Sequence, residues 1–330
     1  MRTRHFATAL AAVFLFSCTG KYIRPTTDGA IERTDARVER GGYLVNHVAA
    51  CGACHDAFEE GDLAKARLPD GQFAGGNMLV DGKVAVFIPN ITPHETGIGA
   101  WTDDELVRGL RDGIKRDGSL MSPLMPFGHY RFLSDEDVRA IVAYLRTVEP
   151  KPQPRPAQEH RYPLPMKLAI GMGVAHHEPV KSVPEPDRSD RVAYGEYLAN
   201  AGHCSACHAM TNRGALAPDH PEFMGGGKTS LDLPGIGRVW APNLTPDAET
   251  GIGKVTDEQF KNALRTGMRF DGAVMTPPML LFVPHFAGMT DEDLDALVAY
   301  FRSLRPVKNT VPARELTPEA QALYGLAPAQ

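Results

Sequence analysis

The pentapeptide Cys51-Gly52-Ala53-Cys54-His55 returns as Cys204-Ser205-Ala206-Cys207-His208, and this repeated motif constrains the chain more than any other feature. A Cys-x-x-Cys pair serves three chemistries: a redox disulfide, half of a zinc site, or covalent haem attachment. Only the last requires a His directly after the second Cys.

The repetition extends well beyond the motifs. Gly42-Tyr43-Leu44-Val45-Asn46 precedes the first, and Glu196-Tyr197-Leu198-Ala199-Asn200 precedes the second. Downstream, PNITPHETGIG from Pro89 is matched by PNLTPDAETGIG from Pro242. The chain therefore holds two copies of one unit.

Each copy closes on a hydroxyl residue and acids ahead of an apolar run. Ser134-Asp135-Glu136-Asp137 leads into VRAIVAYLRTV, and Thr290-Asp291-Glu292-Asp293 into LDALVAYFRSL. That pattern suits a capping box at a helix start. Val138, Ile141, Val142 and Leu145 recur at helical spacing, as do Leu294, Leu297, Val298 and Phe301, so each copy ends in an amphipathic helix. A second helix per copy is predicted from Thr102 (TDDELVRGLRDGI) and Thr256 (TDEQFKNALRTGM), again with an acid or amide three residues after the hydroxyl. Strand-like alternation is scarce, which predicts an all-α chain of two small helical domains with long loops.

Haem attachment accounts for every letter of the motif. The two thiols add across the vinyl groups as thioethers, and the adjacent imidazole reaches one axial face of the iron. A zinc site would need four N or S ligands converging, which two pairs in separate repeats, each with its own His, do not suit. A thioredoxin-like disulfide would want a βαβ setting, and these flanks read as helix and loop. Domains this small with so little regular structure would draw much of their core from the porphyrin.

A length of 330 residues suffices for two domains of ordinary size, and a formal net charge of −5 argues against a nucleic-acid partner. Between the copies, EPKPQPRP, YPLP and VPEPD form a proline-dense stretch that predicts an extended, semi-rigid connector. The apolar MKLAIGMGVA inside it is expected to pack against a domain.

The N-terminus reads as an export signal: Arg2 and Arg4 precede FATALAAVFLF, an apolar run short of the roughly 20 residues a spanning helix needs. Five cysteines leave one over after the two motifs, Cys18. Leu15-Phe16-Ser17-Cys18 resembles the lipobox of bacterial lipoproteins, although Phe16 is bulkier than that pattern usually has. The resemblance implies a lipid anchor at Cys18 and an exported, periplasmic protein held at a membrane. Ordinary cleavage nearby is the alternative.

With these motifs, loops and closing helices in place, the chain resembles class I-type cytochrome c domains. More narrowly, it resembles the cytochrome c subunits of membrane-associated bacterial dehydrogenases, such as those serving quinoprotein alcohol dehydrogenases. The resemblance covers about residues 36–150 and 188–312. It implies two tandem cytochrome c domains over those ranges, after a signal peptide (1–18) and tether (19–35), with a linker at 151–187 and a tail at 313–330. The alcohol dehydrogenase subunits usually carry three such domains, and this chain has two.

The resemblance also implies two covalently bound haem c groups, at Cys51, Cys54 and His55 and at Cys204, Cys207 and His208, each with a second axial ligand from a Met before the closing helix. SLMSPLMPF offers Met121 and Met125; AVMTPPMLL offers Met275 and Met279. Spacing from the His does not separate them. The family pattern places the ligand after a Pro-rich turn and before Pro-aromatic, which favours Met125, as Met125-Pro126-Phe127, and Met279, after Pro277-Pro278 but followed by Leu280. Met121 and Met275 would then fill core. His47, His203, His129 and His285 are competing ligands. The glycine-bearing loops Asn90–Gly99 and Asn243–Gly253 are expected at the haem edge, with Asn90 and Asn243 bonding a propionate or forming a turn.

Two six-coordinate haems pass single electrons and bind no substrate at iron. The implied role is to carry electrons from a dehydrogenase catalytic subunit to a terminal oxidase or other cytochrome. The rival reading is a dihaem enzyme of the peroxidase or thiosulfate-oxidising type, which needs an open or differently ligated iron. A Cys ligand is not at hand, because four cysteines are consumed and Cys18 lies in the signal.

Overall fold

The computed structural model describes residues 24–325, apart from 64, 82–83, 157–159, 167, 169–178, 212–213 and 228–229. The expected export signal, Cys18 and most of MKLAIGMGVA lie outside the described residues. Contacts divide the chain into two compact units, Met1–Gly42 with Cys54–Glu185, and Tyr43–Ala53 with Pro186–Gln330.

The first copy runs helix α1 (Asp35–Tyr43), a π turn (Leu44–Val48), α2 (Gly52–His55), strands β1 (Asn77–Asp81) and β2 (Val84–Ile88), α3 (Asp103–Asp112), α4 (Phe127–Tyr130), α5 (Asp135–Leu145) and β3 (His160–Arg161). The second runs α6 (Arg191–Ala201), α7 (Ser205–His208), β4 (Met210–Thr211), β5 (Gly214–Ala215), β6 (Leu231–Leu233), β7 (Gly237–Val239), α8 (Asp257–Thr266), α9 (Met279–Phe286), α10 (Asp291–Ser303), β8 (Glu315–Leu316) and α11 (Pro318–Tyr324).

The helix starts form as their sequences predict. The Thr102 hydroxyl accepts from Glu105 N–H while the Glu105 carboxylate accepts from Thr102 N–H, and Thr256 and Gln259 repeat this reciprocal box. Ser134 and Thr290 cap α5 and α10 through the amides of Asp137 and Asp293. The apolar stripe of α5 is fully interior, with Val138, Ile141, Val142 and Leu145 all buried; Leu294, Leu297, Val298 and Phe301 match it in α10. Full burial of one such side chain contributes about 1.5–3 kcal/mol.

Opening and closing helices pack backbone to backbone in both copies. A Cβ added at Gly41 of α1 would sit 1.9 Å from the Ala140 carbonyl oxygen of α5, and one at Gly195 of α6 would sit 2.0 Å from that of Ala296 in α10. Only glycine permits that approach.

The all-α expectation needs correction: two helical domains are present, and among the described residues so are three small antiparallel sheets, ordered β1-β2-β3, β4-β5 and β6-β7-β8. In the first, Asn77 pairs with Ile88 and Asp81 with Val84. The physical signal was local. Met78-Leu79-Val80 and Val84-Ala85-Val86 flank Gly82-Lys83, a short apolar pair of runs around a turn sequence, and Pro234-Gly235 plays the same part between β6 and β7. β3 and β8 come from proline-rich segments after the closing helix; at two residues each they need few ladder bonds, which such segments can supply at a sheet edge.

The connector is no free spacer over its described residues. It supplies β3, and Val183 O accepts from Asp135 N–H at 2.9 Å while Ser182 Oγ donates to the Asp135 carboxylate at 2.7 Å. The tether is likewise tied to α3, through an Arg24–Asp112 ion pair at 2.8 Å and Ile31 N–H on Asp103 at 2.8 Å.

Candidate haem sites

The copies differ by one residue between the shared Tyr-Leu-x-Asn (Tyr43, Tyr197) and the first cysteine, and the first copy has the extra one. It is absorbed as the π turn: Ala49 N–H reaches back five residues to Leu44 O at 2.7 Å, where the second copy keeps the ordinary bond from Gly202 N–H to Leu198 O at 2.8 Å. Both copies then turn sharply on a left-handed residue directly before the first cysteine, Ala50 at φ +48° and His203 at φ +43°. Such a conformation costs roughly 1–3 kcal/mol for a residue with a Cβ, and its recurrence marks the turn as part of the motif's geometry.

Past that turn one helical turn carries the motif, so Cys51 and Cys54, and Cys204 and Cys207, stand at i and i+3 on one face. Burial pushes the Cys204 thiol up to about 12, so that in the bare chain it is protonated. Among the described residues no three His, Cys, Asp or Glu side chains converge as a metal-binding group, as a zinc reading would require.

Both motif histidines are buried and held identically: His55 Nδ1 lies 2.8 Å from Pro89 O, and His208 Nδ1 lies 2.8 Å from Pro242 O. A carbonyl only accepts, so Nδ1 carries the proton and Nε2 keeps its lone pair. Burial drives both imidazole pKa values down, against a smaller opposing pull from the carbonyl bond, so each ring is neutral as an iron ligand must be. The backbone behind each ring is pinned too, by Gly75 N–H on His55 O and Gly226 N–H on His208 O. A thiol pair at i and i+3 beside a neutral imidazole with a preset Nε2 fits a covalently held haem.

The loops after Pro89 and Pro242 are clamped without help from a ligand. Asn90 Oδ1 accepts from the amide and hydroxyl of Thr92, both at 2.8 Å, and Nδ2 donates to Lys151 O at 2.6 Å and to Thr96 Oγ1 at 3.2 Å. Asn243 does the same with Thr245, Val307 O and Thr250. Of the two roles expected for these residues, the turn is the one they fill, since the amide's bonding capacity is spent.

The four methionines occupy distinct settings. Met121 donates its amide to Gly113 O, and its Cε lies 2.7 Å from where a Gly109 Cβ would stand, so it fills the notch on α3. Met275 repeats the backbone bond on Gly267 O. Met125 is half-buried in the turn before α4, and Met279 is half-buried as the first residue of α9. His129 lies on α4, where burial lowers its pKa, and His203 packs edge-on against Phe282. His47 and His285 each meet a main-chain carbonyl through Nδ1, at 3.1 and 2.8 Å.

A cytochrome c family model matches residues 38–149 and again 192–305. The chain belongs to the cytochrome c family. Cytochrome c domains imply covalently bound haem c. The chain is 32% identical over 305 residues to the fructose dehydrogenase cytochrome subunit of Gluconobacter japonicus, covering 90% of this chain and 59% of that protein. It is 30% identical over 307 residues to the cytochrome c subunit of alcohol dehydrogenase (quinone) from Gluconacetobacter polyoxogenes, covering 90% and 61%. It is 26% identical over 270 residues to a dihaem cytochrome c-type protein of Cereibacter sphaeroides, covering 81% and 86%. The chain thus spans about three fifths of the length of the two dehydrogenase subunits and most of the dihaem protein.

In this cytochrome c chain, sequence reasoning missed the arginines that brace the loops. Arg146 after α5 donates to Ile98 O, Trp101 O and Asp103; Arg302 in α10 donates to Ile252 O, Val255 O and Asp257. Their matched places in AYLRTV and AYFRSL were the available signal.

Proposed function

We propose that this cytochrome c is a dihaem carrier that moves single electrons from a dehydrogenase catalytic subunit to a terminal oxidase or other cytochrome. The observation that carries the reading is the duplicated site: two buried histidines, each with Nδ1 bonded to a proline carbonyl beside a thiol pair. Bound there, haem c supplies a one-electron iron couple. Cys51 and Cys54, and Cys204 and Cys207, would hold it covalently; His55 and His208, through Nε2, and Met125 and Met279, through sulfur, would be the residues that ligate its iron. The packing of Met121 on Gly109 supports Met125 as the ligand, and the matched backbone bond of Met275 supports Met279. The names of the relatives support a dehydrogenase as electron donor.

No helix among the described residues is long and apolar enough to cross a membrane. The reading includes export to the periplasm and attachment through a lipidated Cys18, supported by the lipobox resemblance. Cys18→Ser should then release the protein from the membrane fraction.

The test is purified, matured protein: two haems per chain by mass and haem stain, a methionine-to-iron absorption band for each, and no carbon monoxide binding after reduction. Met125→Leu and Met279→Leu should each remove the band from one haem, and Met121→Leu and Met275→Leu should leave it. Fast stoichiometric carbon monoxide binding at one haem would overturn the pure carrier in favour of a dihaem enzyme, a rival that the names of the relatives do not support.

A further inference from the structure

The second copy holds a cavity of about 320 Å³. Its walls include the segment that holds one candidate iron ligand in place and the segment that carries the other. Pro242, whose carbonyl holds His208, lines it, and so does Thr276, which lies between Met275 and Met279. Two guanidinium groups, Arg269 and Arg314, face it as well.

The charges around this cavity are unevenly matched. Arg269 pairs with Asp271 at 3.0 Å, and Glu249 pairs with Lys308 at 2.5 Å. Arg314 is half-buried and donates only to main-chain carbonyls, Val274 O at 2.6 Å and Tyr324 O. Among the described residues no carboxylate forms an ion pair with it. Burial lowers its pKa and the charge of Arg269 lowers it further, with Asp271 offsetting part of the effect. A half-buried cation beside another cation gains most from an anion placed between them.

We propose that Arg314, with Arg269, forms a carboxylate-binding site, and that its occupant is a propionate of the haem held at Cys204, Cys207 and His208. This rests on the haem reading above. Arg314 is a positioning residue: it fixes an ionised propionate at the haem edge, and its positive charge favours the reduced iron.

The test is a spectroelectrochemical titration of holoprotein from pH 6 to 8, for the parent, Arg314→Gln and Arg314→Lys. Haem content is measured first; a parent lacking covalent haem at Cys204 and Cys207 would overturn the haem reading and not this assignment. Given intact haem, Arg314→Gln should lower the reduction equilibrium constant of the second haem about tenfold, 59 mV for a one-electron couple. Its potential should also acquire a pH slope as the carboxylate, deprived of its cation, begins to titrate. The charged neighbours are Arg269, Asp271, Glu249 and Lys308, with Asp232 on β6, Arg238 on β7 and Glu315 on β8. All are carboxylates or strong bases, side-chain types whose reference values lie outside that window, so the slope reports the new group. Arg314→Lys should keep most of the parent potential. If Arg314→Gln does not accumulate folded, Arg269→Gln carries the same test. An unchanged potential and pH profile, or an equal shift at both haems, would overturn the proposal.

Discussion

Ahead of Cys51 the chain winds through a π turn, and ahead of Cys204 it runs on as an α-helix, yet His55 and His208 meet their proline carbonyls at the same 2.8 Å. The backbone yields by a residue where it can so that the ring does not move. The copies part company away from that ring. Arg111 and Asp135 form a pair in the first copy in which the arginine is 2% exposed, and Ser182 and Val183 also bind the carboxylate. The matching Arg265–Asp291 pair is 34% and 77% exposed. Lys115 and His160 of the first copy stand where the cavity of the second has Arg269 and Arg314. Trp101 is replaced by Val255. One scaffold therefore offers two electrostatic surroundings, which is what a pair of carriers needs to hold distinct potentials.

The strongest test of the two copies as separate sites is removal of one thiol pair. Cys51→Ser with Cys54→Ser should leave one haem per chain by mass and stain, with the spectrum of the other unchanged. Loss of both haems would break the comparison at its root.

Next come the helix crossings, where the copies should respond alike. Gly41→Ala and Gly195→Ala each drive a methyl into a backbone carbonyl, and each should destabilise its domain by about 2–3 kcal/mol in denaturant unfolding of the holoprotein. A mild effect in one copy alone would show that its crossing can spread.

The paired charges should separate the copies. Asp135→Asn leaves the buried Arg111 without its carboxylate and should cost about 1–3 kcal/mol, while Asp291→Asn should change stability little. Burial alone would raise the Asp135 pKa, but the Ser182 and Val183 hydrogen bonds and Arg111 outweigh it and hold it below the usual value. Its folded pKa being depressed, its contribution is complete above the unfolded value near 3.9 and fades as pH falls through the folded value. The acid limb of the stability curve should therefore be shallower in Asp135→Asn than in the parent.

Smallest and most even are the caps. Thr102→Ala and Thr256→Ala should each lose about 1 kcal/mol in the same denaturant unfolding.

Much of this was legible in the sequence because its causes are short-range. A hydroxyl three residues before an acid caps a helix wherever it lies, and the spacing of Val138, Ile141, Val142 and Leu145 names the buried face of α5 before any partner is known. The hairpins were missed because β1 and β2 are short and carry no long alternation, so Gly82-Lys83 was the stronger cue. Arg146 and Arg302 were missed because an arginine near a helix end is ordinary until three distant acceptors converge on it.

From residue order alone came the chemistry: two thiols and an imidazole in five residues, twice, with helices and methionines at matched places. Bonds within one turn of chain need no tertiary context. What required the folded chain was everything that depends on separate segments meeting. The proline carbonyls that choose the histidine tautomer lie 34 residues from their rings. The glycine contacts join opening and closing helices, and Arg269 and Arg314 come to one cavity from opposite sides of α10. Distance along a sequence carries no record of such meetings, because closing a longer loop costs little more than closing a short one and only packing selects which ends come together.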